Sequence, residues 1–408
     1  MPDPLNVQAE IRAAEERGYF DLGLLKGTFA PHQLQVLFRE LDQRKIPRQA
    51  PQDVMQPAVA RTIINALRRG TVPQCDLTAL SVGRVSLRRR LDLDLEEVGR
   101  GSARVRFLNA AYGAGKTHSL WLLAETAFRQ NFAVSFVTLS PTECPLHSLL
   151  AVYGAIVAGV HTNESRQRRG LETLLDRWIE IIRQDGTHTA HRRIGELADY
   201  VVTALAEYAG ATRNPVRPNY TRQQLLLRYL SGRHCLRREL RPLGLQHVVD
   251  ESTALAELKQ ITLLVRHLGF RGICIFLDEA ESALSFSRWQ HISKAYQNLQ
   301  HIVEASTDLQ NCYFIYAATP SFFDTYRTYW QDDAAIAASA VYTLDALTMP
   351  EYRELAERIT GIYGKSYGQA APLEKVRLAA GSLAENTDGV GGFVRTLVAI
   401  LDRERGNA

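Results

Sequence analysis

The stretch Val105-Arg106-Phe107-Leu108-Asn109-Ala110-Ala111-Tyr112-Gly113-Ala114-Gly115-Lys116-Thr117 decides how this chain is read. Val105 to Leu108 has the length and apolar character of a short strand. The loop that follows fits G-x-x-x-x-G-K-[ST] at every fixed position but the first, where Ala110 stands in place of glycine. Gly113 and Gly115 let the backbone turn tightly and aim several N–H groups at one anion. A helix expected from about Lys116 to Arg129 adds the positive end of its dipole. The spacing predicts a cradle for the phosphates of ATP built from Ala111, Tyr112, Gly113, Ala114, Gly115, Lys116, Thr117 and His118. Lys116 would reach the β- and γ-phosphates, and the Thr117 hydroxyl would hold Mg2+. The alternative is an ordinary Gly-rich turn with an incidental lysine, but lysine is scarce in this chain. At Ala110, alanine costs about 1 kcal/mol if the position needs positive φ, and nothing otherwise.

Working outward, Ala133 to Leu139 is a second, near-continuous β-type run, so strand, helix and strand form a βαβ unit and imply a parallel sheet. Farther on, the apolar strand Ile273 to Leu277 ends in Asp278-Glu279. An aspartate at the carboxyl end of a strand can bind Mg2+, and Glu279 can act as general base toward water. The bland alternative is a buried strand with ordinary acids at its exit. Tyr313 to Ala318 is a further buried strand, ending at Thr319-Pro320. Thr319 is expected between Asp278 and the γ-phosphate as a sensor, or else is a plain strand exit. Gly391-Gly392-Phe393-Val394-Arg395 opens a tail helix from which Arg395 either reaches back to the phosphates or faces solvent. Arg327 is a candidate arginine finger acting in a neighbouring copy, with Arg288, Arg353 and Arg358 as further candidates.

The organisation expected is a helical module over residues 1–50, with helices at Ala9 to Tyr19 and Pro31 to Asp42. A Pro-marked linker follows, then an ATPase domain over 55–345 and a helical lid over 346–408. A helix from Ala58 to Arg69 ends at Gly70, which suits a C′ position. Helical spacing over about 150–268 reads as an insertion between two strands of the sheet, broken near Asn214 to Pro218 and at Pro242. Composition suits a folded globular chain: 46% hydrophobic, 23% charged, net charge +4 over 408 residues. That balance argues against a nucleic-acid-coating protein but permits local basic faces, such as Arg166 to Arg169 and Arg233 to Arg241. The five cysteines form no C-x-x-C pair. Together with a start that lacks an apolar targeting core, they predict a cytoplasmic chain with no membrane contact. The histidines show no metal-ligand spacing, and His188 and His191 read as loop residues.

These residues together resemble the ASCE class of P-loop ATPases, near the AAA+ and Orc/Cdc6-like group. Val82-Gly83-Arg84 with Leu87 and Leu91 is similar to the opening of that group, which lies beside the adenine. The chain resembles more specifically the BrxC/BrxD-type ATP-binding proteins of bacterial BREX phage-defence systems. That resemblance rests on Arg61 to Gly70 with Val72-Pro73, Arg106 to Leu108 with Tyr112 to His118, Pro145 to His147 with Val152-Tyr153, Leu277 to Glu281, and Phe393 to Val398. It implies ATP binding, hydrolysis with Mg2+, and action with a helicase or other defence proteins on DNA; a homo-oligomer is a separate expectation, tied to the arginine-finger candidates. Two other readings stay open: a slow nucleotide-gated switch or scaffold, and an Orc-like DNA-binding loader.

Overall fold

The computed structural model describes residues 55–73, 75–83, 85–165, 168–212, 219–286, 288–306, 308–329, 340–368 and 373–406, together with Ile11, Phe20–Asp21, Leu37, Glu40, Leu41, Arg44 and Arg48–Gln49. The helical module expected over 1–50 lies mostly outside these residues. Within it, Phe20–Asp21 pairs in parallel with Arg48–Gln49, a strand contact that a purely helical module does not include.

Helix α1 (Pro57–Arg68) precedes α2 (Val85–Gly99), which leads into strand β1 (Ala103–Asn109). Helix α3 (Lys116–Arg129) and strand β2 (Ala133–Thr138) complete the first crossover. The insertion then runs through α4 (Leu149–Ala158), strand β3 (Val160–His161), α5 (Leu171–Asp185), α6 (Thr187–Arg193), α7 (Asp199–Thr212), α8 (Tyr220–Leu230), α9 (Arg237–Leu240) and α10 (Ala254–His267). Strand β4 (Ile273–Asp278), α11 (Trp289–Ser306), β5 (Cys312–Ala318), α12 (Pro320–Tyr329) and β6 (Val341–Thr343) return the chain to the sheet. The tail is α13 (Met349–Tyr367), α14 (Leu373–Glu385) and α15 (Gly389–Gly406).

The strands lie in the order β3-β2-β4-β5-β1-β6, parallel except for the β2–β3 pair. Registers Asn109↔Ala318 and Thr138↔Asp278 bring the carboxyl ends of β1, β2, β4 and β5 to one edge. Strand β4 is buried along its whole length because both faces are covered. Ile273, Ile275 and Leu277 face a core shared with α4, α10 and α11, while Cys274 and Phe276 face the core under α2 and α3. The first of these cores continues unbroken into the insertion, where Leu174, Trp178, Leu205 and Leu226 are fully buried.

Helix α1 belongs to a third core. Its Ile63, Ile64 and Leu67 pack with Leu355 and Ile359 of α13 and with Phe393, Leu397 and Leu401 of α15. The expected division left this segment with the sheet; its apolar face is instead covered by the tail helices. Arg68 also meets Asp402 with two hydrogen bonds of 2.8 Å.

One charged knot ties α2 to three strands. Asp94, 5% exposed, accepts from Arg106 Nε and Nη2 (2.8 and 2.6 Å), from Tyr313 Oη (2.8 Å) and from Tyr342 Oη (3.1 Å). Removing one partner leaves the other charge half-buried without its counter-ion. Asp94→Ala is expected to lower unfolding free energy by about 3–5 kcal/mol. Urea denaturation tests this, with a fall in midpoint at unchanged slope as the expected result.

Candidate nucleotide-binding site

The loop after β1 is shaped by Gly113 and Gly115, whose φ values of 75° and 93° suit glycine. Ala110 does not take positive φ, so alanine carries no backbone penalty there. Its methyl is buried in the core under α2 and α3, and its N–H donates to the Ala318 carbonyl at 3.1 Å. The loop is thereby pinned to β5. The Ala110 carbonyl accepts from Lys116 Nζ at 3.1 Å, which directs a lysine only 8% exposed across the loop.

Strand β4 delivers its acids to the same place. Thr117 Oγ1 donates to Asp278 Oδ2 at 2.6 Å, linking the start of α3 to the end of β4. Asp278 Oδ1 accepts the Glu279 N–H at 3.0 Å. Burial pushes the Asp278 carboxyl above the usual carboxylate range, against the opposing effects of Thr117, the Glu279 N–H and Lys116. Glu279 holds a left-handed conformation (φ 58°, ψ 41°) that costs a residue with a side chain about 1–3 kcal/mol. Its carboxyl is also raised, first by burial and then by the charges of Asp278 and Glu281. Glu281 Oε1 lies 3.4 Å from Lys116 Nζ.

All of these groups line one cavity of about 960 Å3. One side carries the loop from Tyr112 to His118 with Asp278, Glu279 and Glu281. The other is apolar, with Leu67, Val72 and Pro73 following α1, Val82 and Leu91 near α2, and Leu355, Ile359 and Val390 from the tail. Such a slot suits a flat base on the apolar side and phosphates on the polar side. Leu87 also lines the cavity, and Arg84 lies outside the described residues. Tyr112, 89% exposed, stands at the rim.

Arg395 of α15 lines the cavity and makes no hydrogen bond or ion pair among the described residues; a side chain at Gly70 would come within 2.9 Å of its Cδ. The start of α15 touches the phosphate loop directly: the Gly391 N–H donates to the Gly113 carbonyl at 3.2 Å. A Cβ on Gly389 would lie 3.0 Å from that carbonyl, so glycine permits the approach. Strand β5 runs between β4 and β1, but Thr319 does not line the cavity and its hydroxyl bonds Ser321 at 2.9 Å.

The other candidates fall elsewhere. Arg358 is tied to the Ser81 and Thr78 carbonyls and to Glu354, while Arg288 and Arg353 are exposed. Arg327 lies on α12, and its side chain is outside the described residues. Arg168 pairs with Asp176 at 2.6 Å. His188 and His191 sit on helix α6 rather than in a loop, because the His191 ring packs edge-on against buried Trp178 and bonds the Thr187 carbonyl. Glu281, the contact of Gly391 with the loop and the apolar tail wall are not foreseen from the sequence. Glu281 had a local signal, the third acid within four residues of a strand end.

The glycine-shaped loop, the adjacent Thr117 and Asp278, and the half-apolar slot fit Mg2+ with a nucleoside triphosphate. Among the described residues no three His, Cys, Asp or Glu side chains cluster to hold a metal. Mg2+ needs only one or two protein groups when phosphates and waters complete its shell.

A parallel sheet with a strand between the phosphate-loop strand and the acid-tipped strand defines the ASCE class of P-loop proteins, with the AAA+-like arrangement of sheet and helical lid. Residues 55–403 match the model of the family described as BREX system ATP-binding protein BrxC/D, and the chain belongs to that family. Among solved structures it is similar to the Aeropyrum pernix Orc1 protein in complex with DNA, at 13% identity and TM-score 0.38, over 80% of this chain and 62% of that chain. It is also similar to the Aeropyrum pernix Orc2 protein (ADPNP–ADP complexes), at 15% identity and TM-score 0.36, over 78% of this chain and 68% of that one. No curated protein sequence matches the chain. Among the described residues no helix is long and apolar enough to cross a membrane.

Lys116→Ala is expected to weaken ATP binding at least about a hundredfold, the loss of roughly 3 kcal/mol of charge-assisted contact. Isothermal titration with ATP and Mg2+ checks this, and retained affinity would overturn the role given to the loop.

Proposed function

We propose that this chain is a Mg2+-dependent ATPase that couples hydrolysis to remodelling or loading of a partner helicase–DNA complex in phage defence. The observation that carries this is the convergence of Lys116, Thr117, Asp278 and Glu279 on one cavity. In this reading the loop from Ala111 to His118 binds the phosphates, and Thr117 and Asp278 hold Mg2+. Bound there, the ion neutralises charge on the phosphate oxygens. Glu279 takes a proton from the water that attacks the γ-phosphorus, as the bond to the bridging oxygen breaks. Lys116 and Arg395 stabilise the charge that develops. Thr319 senses the γ-phosphate after a shift of its hydroxyl away from Ser321. The proposed units are a module over 1–50, an ATPase domain over 55–345 whose first helix α1 docks on the tail helices, with its insertion at about 150–268, and a lid over 346–408, acting in the cytoplasm. In a homo-oligomer an exposed arginine such as Arg288 or Arg353, or Arg327, would complete a neighbour's site.

Glu279→Gln is expected to cut phosphate release at least about a hundredfold while ATP still binds. Because the Glu279 carboxyl is held above its ordinary range, it takes up its proton at a higher pH than a free glutamate. The rate should therefore fall with acidity through a pH above that of an ordinary glutamate, and the Gln variant should lack this limb. Equally slow release by both proteins would favour a nucleotide-gated switch.

A specific feature favours contact with DNA. Arg233, Arg237, Arg238 and Arg241 are exposed and carry no ion pair among the described residues. Glu239, the acid in that run, is engaged by Arg228 and the Leu236 N–H. Replacing the four arginines with alanine should weaken binding to duplex DNA. The slope of log affinity against log salt should flatten by about one for each phosphate that the variant no longer neutralises. Fluorescence anisotropy over a salt series tests this, and an unchanged slope would remove the insertion as the DNA-facing surface.

A further inference from the structure

We propose that Glu281 is an internal competitor for the phosphate-loop lysine: its carboxylate holds Lys116 until a nucleotide triphosphate displaces it. This rests on the nucleotide reading of the cavity and adds a role for a residue outside that reaction.

The pairing is specific. Lys116 is buried, and an ammonium there needs acceptors. It has the Ala110 carbonyl at 3.1 Å and Glu281 Oε1 at 3.4 Å. The ion pair is half-formed, because Glu281 Oε2 is buried without a hydrogen-bond partner. A carboxylate in the wall of an anion site that is held by the lysine alone can be displaced by a ligand with several phosphate oxygens.

Local structure supports displacement. Glu281 stands on the 3-10 turn Ala280–Ser285, beyond the end of β4, so its side chain can swing without breaking a ladder hydrogen bond of the sheet. Asp278 is fixed by Thr117 and by the Glu279 N–H, whereas among the described residues Glu281 has only Lys116. Its charge also crowds the two acids beside it, raising the carboxyls of both Asp278 and Glu279. The consequence of the ion pair is a threshold, with part of the binding free energy of ATP consumed in releasing Lys116.

The test compares the full-length wild type with Glu281→Gln and Glu281→Asp by isothermal titration with ATP and Mg2+ at fixed ionic strength. Gln removes the charge; Asp keeps it but is one methylene too short to hold the lysine. Both variants should bind ATP about 3- to 10-fold more tightly than wild type, a gain of roughly 0.7–1.4 kcal/mol. Thermal unfolding of each protein without nucleotide confirms that the variants fold. Unchanged or weaker binding in either variant overturns the proposal. In particular, tightening by Gln alone would show simple through-space repulsion without a competitor. Failure of the wild type to bind ATP would be a different result, sinking the nucleotide reading itself and this proposal with it.

Discussion

A parallel sheet must send every strand's carboxyl end to the same edge, and the rest of this molecule follows from that constraint. The registers of β1, β5, β4 and β2 place Asn109, Ala318, Asp278 and Thr138 along one rim. Residues distant in sequence then meet, and Thr117 bonds Asp278 across 161 positions. The rim is also where an ammonium and three carboxylates stand in a partly dehydrated cavity. Such a set is poorly balanced on its own, since burial raises the Asp278 and Glu279 carboxyls and leaves Glu281 Oε2 without a partner. Charge imbalance at a strand edge is the usual physical mark of a site that expects a ligand.

The cavity is closed by parts of the chain far from the sheet in sequence. Helix α1 has an apolar face that the sheet does not cover, and it joins α13 and α15 in a separate core. This places Leu67, Val72 and Pro73 opposite Ile359 and Val390 as an apolar wall. The same helix α15 that supplies Val390 and Arg395 begins with a glycine-permitted contact on the Gly113 carbonyl. The apolar and phosphate sides therefore share one mechanical element. A movement of α15 that opened the base side would also break its hydrogen bond to the phosphate loop.

Much of the sheet was legible because its signals are local. The helix expected from about Lys116 to Arg129 has those ends, and β1, β2, β4 and β5 fall within two residues of their apolar runs. The edge strands Val160–His161 and Val341–Thr343 were not legible, since two or three residues give no period. The docking of α1 escaped because an amphipathic stripe says that a face is buried but not against what. The Asp94 knot draws on Tyr313 and Tyr342, more than two hundred residues away, and no sequence pattern encodes such a meeting. At the site, residue type and spacing marked the loop and the β4 acids. The side-chain directions of Glu281 and Thr319 depend on turns whose geometry the sequence does not state.

Ala110 shows how an apparent defect in a motif dissolves in its setting. A glycine at that loop position would be demanded only by positive φ or by a close approach. Here the backbone has negative φ, and the methyl fills space in the core under α2 and α3. Its two backbone groups are both used, the N–H on the Ala318 carbonyl and the carbonyl on Lys116. Those bonds need no particular side chain, so the alanine keeps the loop anchored between β5 and the lysine and adds only its packing in the core. Positive φ falls on glycine at Gly113 and Gly115 in the loop and at Gly70 across the cavity, and on a residue with a side chain at Glu279. Backbone strain thus sits at the acid-tipped end of β4, while the glycine-shaped loop is free of it.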